Sequence, residues 1–173
     1  DCHFATIDTP FEFGRAAAEG APVSLDVFLM PNQPDYLTEL TERARTHPAV
    51  SLHPPLDHAS MVEAMAKYDV GVHVLAPTNY NNAVALPNKF FDFVQARLGL
   101  VIGPSPEMAQ LTREHGFGAV AEDFSTEALT QVVADLTPTV VDEWKAASSA
   151  SAYELSAQRQ AATWQQIWRS LLD

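Results

Sequence analysis

The residues best placed to do chemistry are Lys89 and Asp92 in the stretch Leu86-Pro87-Asn88-Lys89-Phe90-Phe91-Asp92-Phe93. The chain is acidic, with Asp+Glu 22 against Lys+Arg 10 and a net charge of −12. Its lysines are Lys67, Lys89 and Lys145. Pro87 reads as the first residue of a helix, where its missing N–H costs little. Lys89 then falls in the first turn. A helix N-terminus offers free N–H groups and a partial positive charge, so it attracts anions. A lysine there aims a full charge at the same place. Asp92 follows three residues later on the same helix face and can accept hydrogen bonds from a hydroxyl group. Leu86, Pro87, Asn88 and Lys89 are therefore candidate phosphate contacts. The plain alternative is a surface Lys–Asp pair worth a few tenths of a kcal/mol, on the order of 0.2–1. Phe90, Phe91 and Phe93 read as core, because three aromatics in four residues mark a buried helix.

The elements that must carry this turn alternate between strand and helix patterns. Residues 23–30 read as a strand closed by Pro31, 35–46 as a helix, and 50–53 as a short strand before Pro54 and Pro55. Residues 58–68 read as a helix, and the apolar run 69–75 as a strand buried on both faces. A polar loop at 77–84 leads to the Pro87 helix. A strand at 100–102 and a helix at 106–115 follow, the latter bounded by Ser105, Pro106 and Gly116. Then come a short strand at Ala119 and Val120 and a helix from Ser125 to about Leu136. Residues 140–172 form a helical tail, with a stripe of Trp164, Ile167, Trp168 and Leu171 and a joint in the Ala/Ser run 146–152. Phe4, Ala5, Thr6 and Ile7 read as a further strand near the chain start. This order predicts one α/β domain over residues 1–173, a Rossmann-like parallel sheet with helices on both faces.

Ligands of such sheets sit beyond the carboxyl ends of the strands. Those ends bring forward Asn79, Tyr80, Asn81 and Asn82, whose amides and phenol suit sugar hydroxyls and phosphate oxygens. They also bring forward His53, Pro54 and Leu56, and His58 just beyond. His73 lies within a strand and reads as a core residue.

Other chemistry is excluded or weakly supported. The charge of −12 disfavours nonspecific nucleic-acid binding. Cys2 is the single cysteine, so neither an internal disulfide nor a cysteine-rich metal site is expected. No histidine, cysteine and carboxylate cluster has metal-ligand spacing. There is no Asp-X-Asp pair, G-X-S-X-G, G-X-G-X-X-G or phosphate-loop signature. Gly116-Phe117-Gly118 follows a helix and reads as a cap and turn. No apolar run approaches the roughly 20 residues of a membrane span. The expected location is cytoplasmic, with any place at the inner face of the membrane supplied through a parent protein.

Tyr68-Asp69-Val70-Gly71-Val72, then Leu86 to Phe93, then Gly103, Pro106-Glu107-Met108 and Gly116-Phe117-Gly118 resemble the C-terminal domain of GT-B glycosyltransferases of the glycosyl-transferase group 1 type. The resemblance covers about residues 50–136. It implies one half of a GT-B architecture and a bacterial enzyme that moves a sugar from a nucleotide-diphosphate donor to a glycan or lipid-linked acceptor, with retention. The donor would be of UDP or GDP type, and no cofactor or metal is implied. By position, Leu86, Pro87, Asn88 and Lys89 would lie against the diphosphate and Asp92 against the ribose. Residues 79–82 would face the donor phosphate or sugar, and residues 53–56 would border the nucleobase. The N-terminal acceptor domain of such an enzyme would be missing, leaving an excised domain that is inactive by itself. Its partners would be the nucleotide-sugar, that missing domain and the acceptor. The tail helix would then leave Trp164 and Trp168 as an orphaned contact patch. Three positions depart from the family pattern. Val84 stands where the family carries an acidic residue, and Arg97 and Gly99 stand where it carries Gly and Pro. The missing acidic residue at Val84 and the missing partner domain favour an alternative, a non-catalytic binding or assembly module of the same fold. A sugar-nucleotide epimerase half is a third reading, opposed by the Leu-Pro-Asn-Lys turn. No catalytic residue is assigned.

Overall fold

The computed structural model describes residues 23–57 and 59–171. Within them, strands and helices alternate as the sequence predicts. The strands are β1 (Leu25–Phe28), β2 (Val50–His53), β3 (Val70–His73), β4 (Gly99–Ile102) and β5 (Gly118–Val120). The helices are α1 (Pro34–Ala44), α2 (Met61–Met65), α3 (Tyr80–Ala83), α4 (Asn88–Gln95), α5 (Pro106–His115), α6 (Thr126–Ala134), α7 (Pro138–Ser151) and α8 (Ala157–Ser170). Every strand pairing is parallel, but the ladder is divided. β1 pairs with β2 in one sheet, and β3, β4 and β5 pair in that order in another. The fold is Rossmann-like α/β, parallel sheets flanked by helices.

β4 forms the centre, with all four of its residues buried. Its side chains alternate between two cores, as a strand's period of two requires. Leu100 and Ile102 join Phe90, Phe93, Val94, Met108 and Phe117 on one face. Val101 joins Val74, Leu129 and Val133 on the other. Phe90 is fully buried and Phe91 packs against the same core, so the aromatic run of α4 is core.

Close approach explains two of the glycines. A Cβ at Gly71 would lie 2.4 Å from the Phe93 ring, so the glycine of Asp69-Val70-Gly71 makes room for α4. A Cβ at Gly118 would lie 2.0 Å from the Leu100 carbonyl oxygen.

Several boundaries differ from expectation for local reasons. The helix expected over residues 58–68 contracts to one turn at Met61–Met65, ending at Ala66. Pro87 is the N-cap of α4, with extended backbone (φ −75°, ψ 152°), and the first helical residue is Asn88. The polar loop at 77–84 contains the short helix α3. The tail begins earlier than residue 140, because Thr137 caps Pro138 by accepting a hydrogen bond from the Val140 N–H at 3.3 Å. The joint lies after the Ala/Ser run, not in it. That run is the body of α7, where small residues permit close packing. Ser148 is buried and donates to the Leu98 carbonyl, and Ser151 bonds His115 Nδ1 at 3.0 Å. Ser156 then starts α8 by capping the Arg159 N–H. The strand expected at residues 4–7 lies outside the described residues, as does His58.

Candidate functional site

The site follows from the chain's direction. β3 ends at His73 and β4 begins at Gly99, at opposite ends of two parallel strands. The helix between them must run back along the sheet. Its N-terminus therefore lies at the carboxyl edge, and its C-terminus delivers Ala96 and Leu98 into the core beside β4. Asn88 and Lys89 are thus the first residues of a core-anchored helix, with their backbone N–H groups directed outward from that edge.

Lys89 is half-buried, and its Nζ is withdrawn from solvent. Asp92 is half-buried one turn further on. Leu86 is exposed and Pro87 half-buried. The other two lysines have structural uses. Lys145 reaches from α7 to the Tyr68 carbonyl (3.2 Å) and the Asp69 carboxylate (2.8 Å), tying the helix to the start of β3. Lys67 lies over the Tyr68 ring, 5.0 Å from its centroid. Lys89 is the lysine that stands at the carboxyl edge of the sheet.

The loop after β3 is built by its own amides. Asn79 caps α3 by accepting a hydrogen bond from the Asn82 N–H at 2.9 Å, and the Asn82 side-chain amide donates to Thr78 Oγ1 at 3.0 Å. Asn79, Tyr80 and Asn81 are exposed, Tyr80 at 77%. Val84, at 40% exposure, ends α3 and puts an apolar side chain on this edge.

After β2, the sequence candidates separate. Pro54 is exposed, but Leu56 packs against the core that holds Phe90 and Phe93. The His53 ring is held by two neighbours: its Nε2 bonds the Asp26 carboxylate, and its plane stacks on Phe28 at 5.0 Å. Phe28 in turn meets Tyr68 edge-on at 6.1 Å. Burial pushes the Tyr68 phenol above its ordinary pKa, and the neighbouring Asp26 carboxylate adds to the effect. This Asp26, His53, Phe28 and Tyr68 cluster was not visible in the sequence, because its members come from two strands and the connection before a third. His73 is buried in β3 as expected, and His115 stacks on Phe117. Among the described residues, no group of three or more His, Cys, Asp or Glu could hold a metal ion. No described helix is long and apolar enough to cross a membrane.

Neither a protein-family model nor a curated protein matches this sequence. Among solved structures, a likeness is found to WaaG, "a glycosyltransferase involved in lipopolysaccharide biosynthesis". The likeness is one of fold. The TM-score is 0.65 at 18% sequence identity, over 88% of this chain and 40% of WaaG. The chain thus spans less than half the length of that enzyme. The α/β architecture expected from strand–helix alternation is the architecture found, and it matches in size a part of a glycosyltransferase.

Proposed function

We propose that this chain is the donor-binding half of a glycosyltransferase, holding a nucleotide-diphosphate sugar at the N-terminus of α4. The observation that carries the reading is Lys89, with its Nζ turned out of solvent, in the first turn of a helix that starts at the carboxyl edge of a Rossmann-like sheet. The backbone N–H groups of that turn and the Lys89 ammonium would bind the diphosphate. In the intact enzyme they would stabilise the charge that builds on it as the sugar leaves. Asp92 would accept hydrogen bonds from the ribose. The exposed amides and phenol of Asn79, Tyr80 and Asn81 would meet the sugar or its phosphate, with Asn82 holding their helix in shape. Pro54 and the ordered His53 would border the base. A UDP or GDP donor, and a glycan or lipid-linked acceptor bound by a second domain, complete the reading. The fold likeness to WaaG supports it.

Calorimetric titration with UDP, GDP and ADP tests it. At least one nucleotide should bind, and Lys89→Ala should weaken that binding about 10- to 100-fold, the loss of one charged hydrogen-bonding partner, roughly 1.5–3 kcal/mol. Absence of binding, or equal binding by the variant, rejects the assignment.

The exposed Val84 favours a second reading, a binding module without transfer activity. Nucleotide binding by the full-length parent with no sugar transfer or hydrolysis would decide for it.

A further inference from the structure

The segment joining β3 to α4 is poor in charge and rich in exposed apolar side chains. From Val70 to Phe91 the sequence holds neither Asp nor Glu, and Lys89 is its single formal charge, in a chain of net charge −12. Tyr80, Val84 and Leu86 are all exposed in this segment. The Val84 N–H donates to the Tyr80 carbonyl at 3.2 Å, so these two residues stand one helical turn apart on one face. A lone exposed apolar residue is ordinary. Three so close in sequence, just ahead of α4, make a contact surface. Val84 precedes Lys89 by five residues, so their Cα atoms lie within about 18 Å of each other. That puts Val84 on the same edge of the sheet as the diphosphate site.

Resting on the donor-binding reading of α4, we propose that the sugar on the donor is uncharged and carries a methyl group, as a 6-deoxy or an N-acetyl sugar does, and that this methyl lies on Val84 and Tyr80. Each class of sugar makes its own demand on the segment. A uronic acid brings a further negative charge next to the diphosphate, and the segment holds no cation beyond Lys89 to pair with it. A free amino sugar brings an ammonium group and would find no carboxylate there. A sugar with hydroxyls at every position would press one of them against Val84, where it loses water and gains no hydrogen bond. A methyl group in the same place loses only its unfavourable contact with water. The remaining hydroxyls would meet the amides of Asn79 and Asn81, which are exposed on either side of Tyr80. The Tyr80 ring adds an apolar face that carries no charge.

Calorimetric titration of the unaltered chain with matched sugar nucleotides tests this. UDP-6-deoxyglucose and UDP-N-acetylglucosamine are compared with UDP-glucose, and GDP-rhamnose with GDP-mannose. On the base that the chain binds, at least one methyl-bearing sugar should bind about four- to tenfold more tightly than its hydroxyl counterpart, the effect of one methyl group leaving water. The two UDP comparisons separate a 6-deoxy from an N-acetyl substituent. Val84→Thr keeps the shape of the side chain and replaces a methyl with a hydroxyl, so it should reduce the preference to about twofold or less. Equal binding of methyl-bearing and hydroxyl sugars overturns the proposal while the donor reading stands. A preference that Val84→Thr leaves intact overturns it too. Binding of none of these sugar nucleotides also overturns it, and the titrations with UDP, GDP and ADP then decide whether the donor reading falls as well.

Discussion

Arg97 occupies the left-handed position after α4, at φ 65°, the conformation that Gly116 adopts after α5 at φ 69°. A side chain there costs on the order of 1–2 kcal/mol relative to its relaxed backbone. Arg97 offsets part of that cost. Its guanidinium donates to the Gln95 carbonyl at 2.7 Å and to the Val94 carbonyl at 3.2 Å, which also accepts from the Arg97 N–H at 3.0 Å. Arg97→Ala keeps the strain and loses both bonds, so it should destabilise the chain by about 1 kcal/mol. Arg97→Gly loses the same bonds but relieves the strain, and should be more stable than the alanine variant by roughly 1 kcal/mol. Urea denaturation of the pair measures the difference. A second residue-scale prediction concerns Tyr68. Its folded pKa is raised from 10.0, chiefly by burial and then by Asp26. A raised value means that its contribution to stability is complete below pH 10 and is lost as pH rises through the folded value. Tyr68→Phe should therefore flatten the decline in stability measured above pH 10.

At the scale of elements, α7 shows what its small residues are for. Ser148 is fully buried and donates to the Leu98 carbonyl, just before β4 begins. Ser148→Ala should cost about 1–3 kcal/mol, since it leaves a buried carbonyl without its donor. Gly118→Ala should be worse, because its methyl group would meet the backbone of β4 at 2.0 Å and the sheet cannot yield locally. Loss of the cooperative thermal transition is the expected readout. Elements of this kind were legible in the sequence where the pattern was local. The apolar β3 run, the Ser105, Pro106 and Gly116 boundary of α5 and the aromatic stretch of α4 all stand where they were read. What was not legible depends on distant partners. The Ala/Ser run looked like a joint, because serine competes with helix backbone hydrogen bonds. Here its hydroxyls find partners at Leu98, just before β4, and at His115 on α5. Likewise, nothing local to His53 in the sequence announces its bond to Asp26, twenty-seven residues away. At the candidate site, the helix start and Lys89 were readable from Pro87, whereas the one-residue shift that makes Pro87 a cap needed the backbone angles.

At the scale of the molecule, the apolar surface is distributed unevenly. The three tryptophans divide by environment. Trp144 is half-buried beside Gly99, where a Cβ on the glycine would lie 3.0 Å from the indole. Trp164 and Trp168 are 68% and 66% exposed on α8, in one stripe with Ile167 and Leu171. Burial, not residue type, sets what each contributes. Trp164→Gln with Trp168→Gln removes little area that folding takes out of water, so the denaturation midpoint should move by no more than about 0.5 kcal/mol. Trp144→Ala removes packing between α7 and β4 and should cost about 3 kcal/mol. Acrylamide quenching gives the same division without relying on stability. In the unaltered chain most of the indole emission should be readily quenched. In the double glutamine variant the remaining Trp144 emission should be blue-shifted and resistant. Equal resistance of all three would mean that α8 folds back on the body of the protein and covers its stripe. A contact patch for a second domain requires the opposite outcome: exposed indoles in this chain that become protected when a second domain binds.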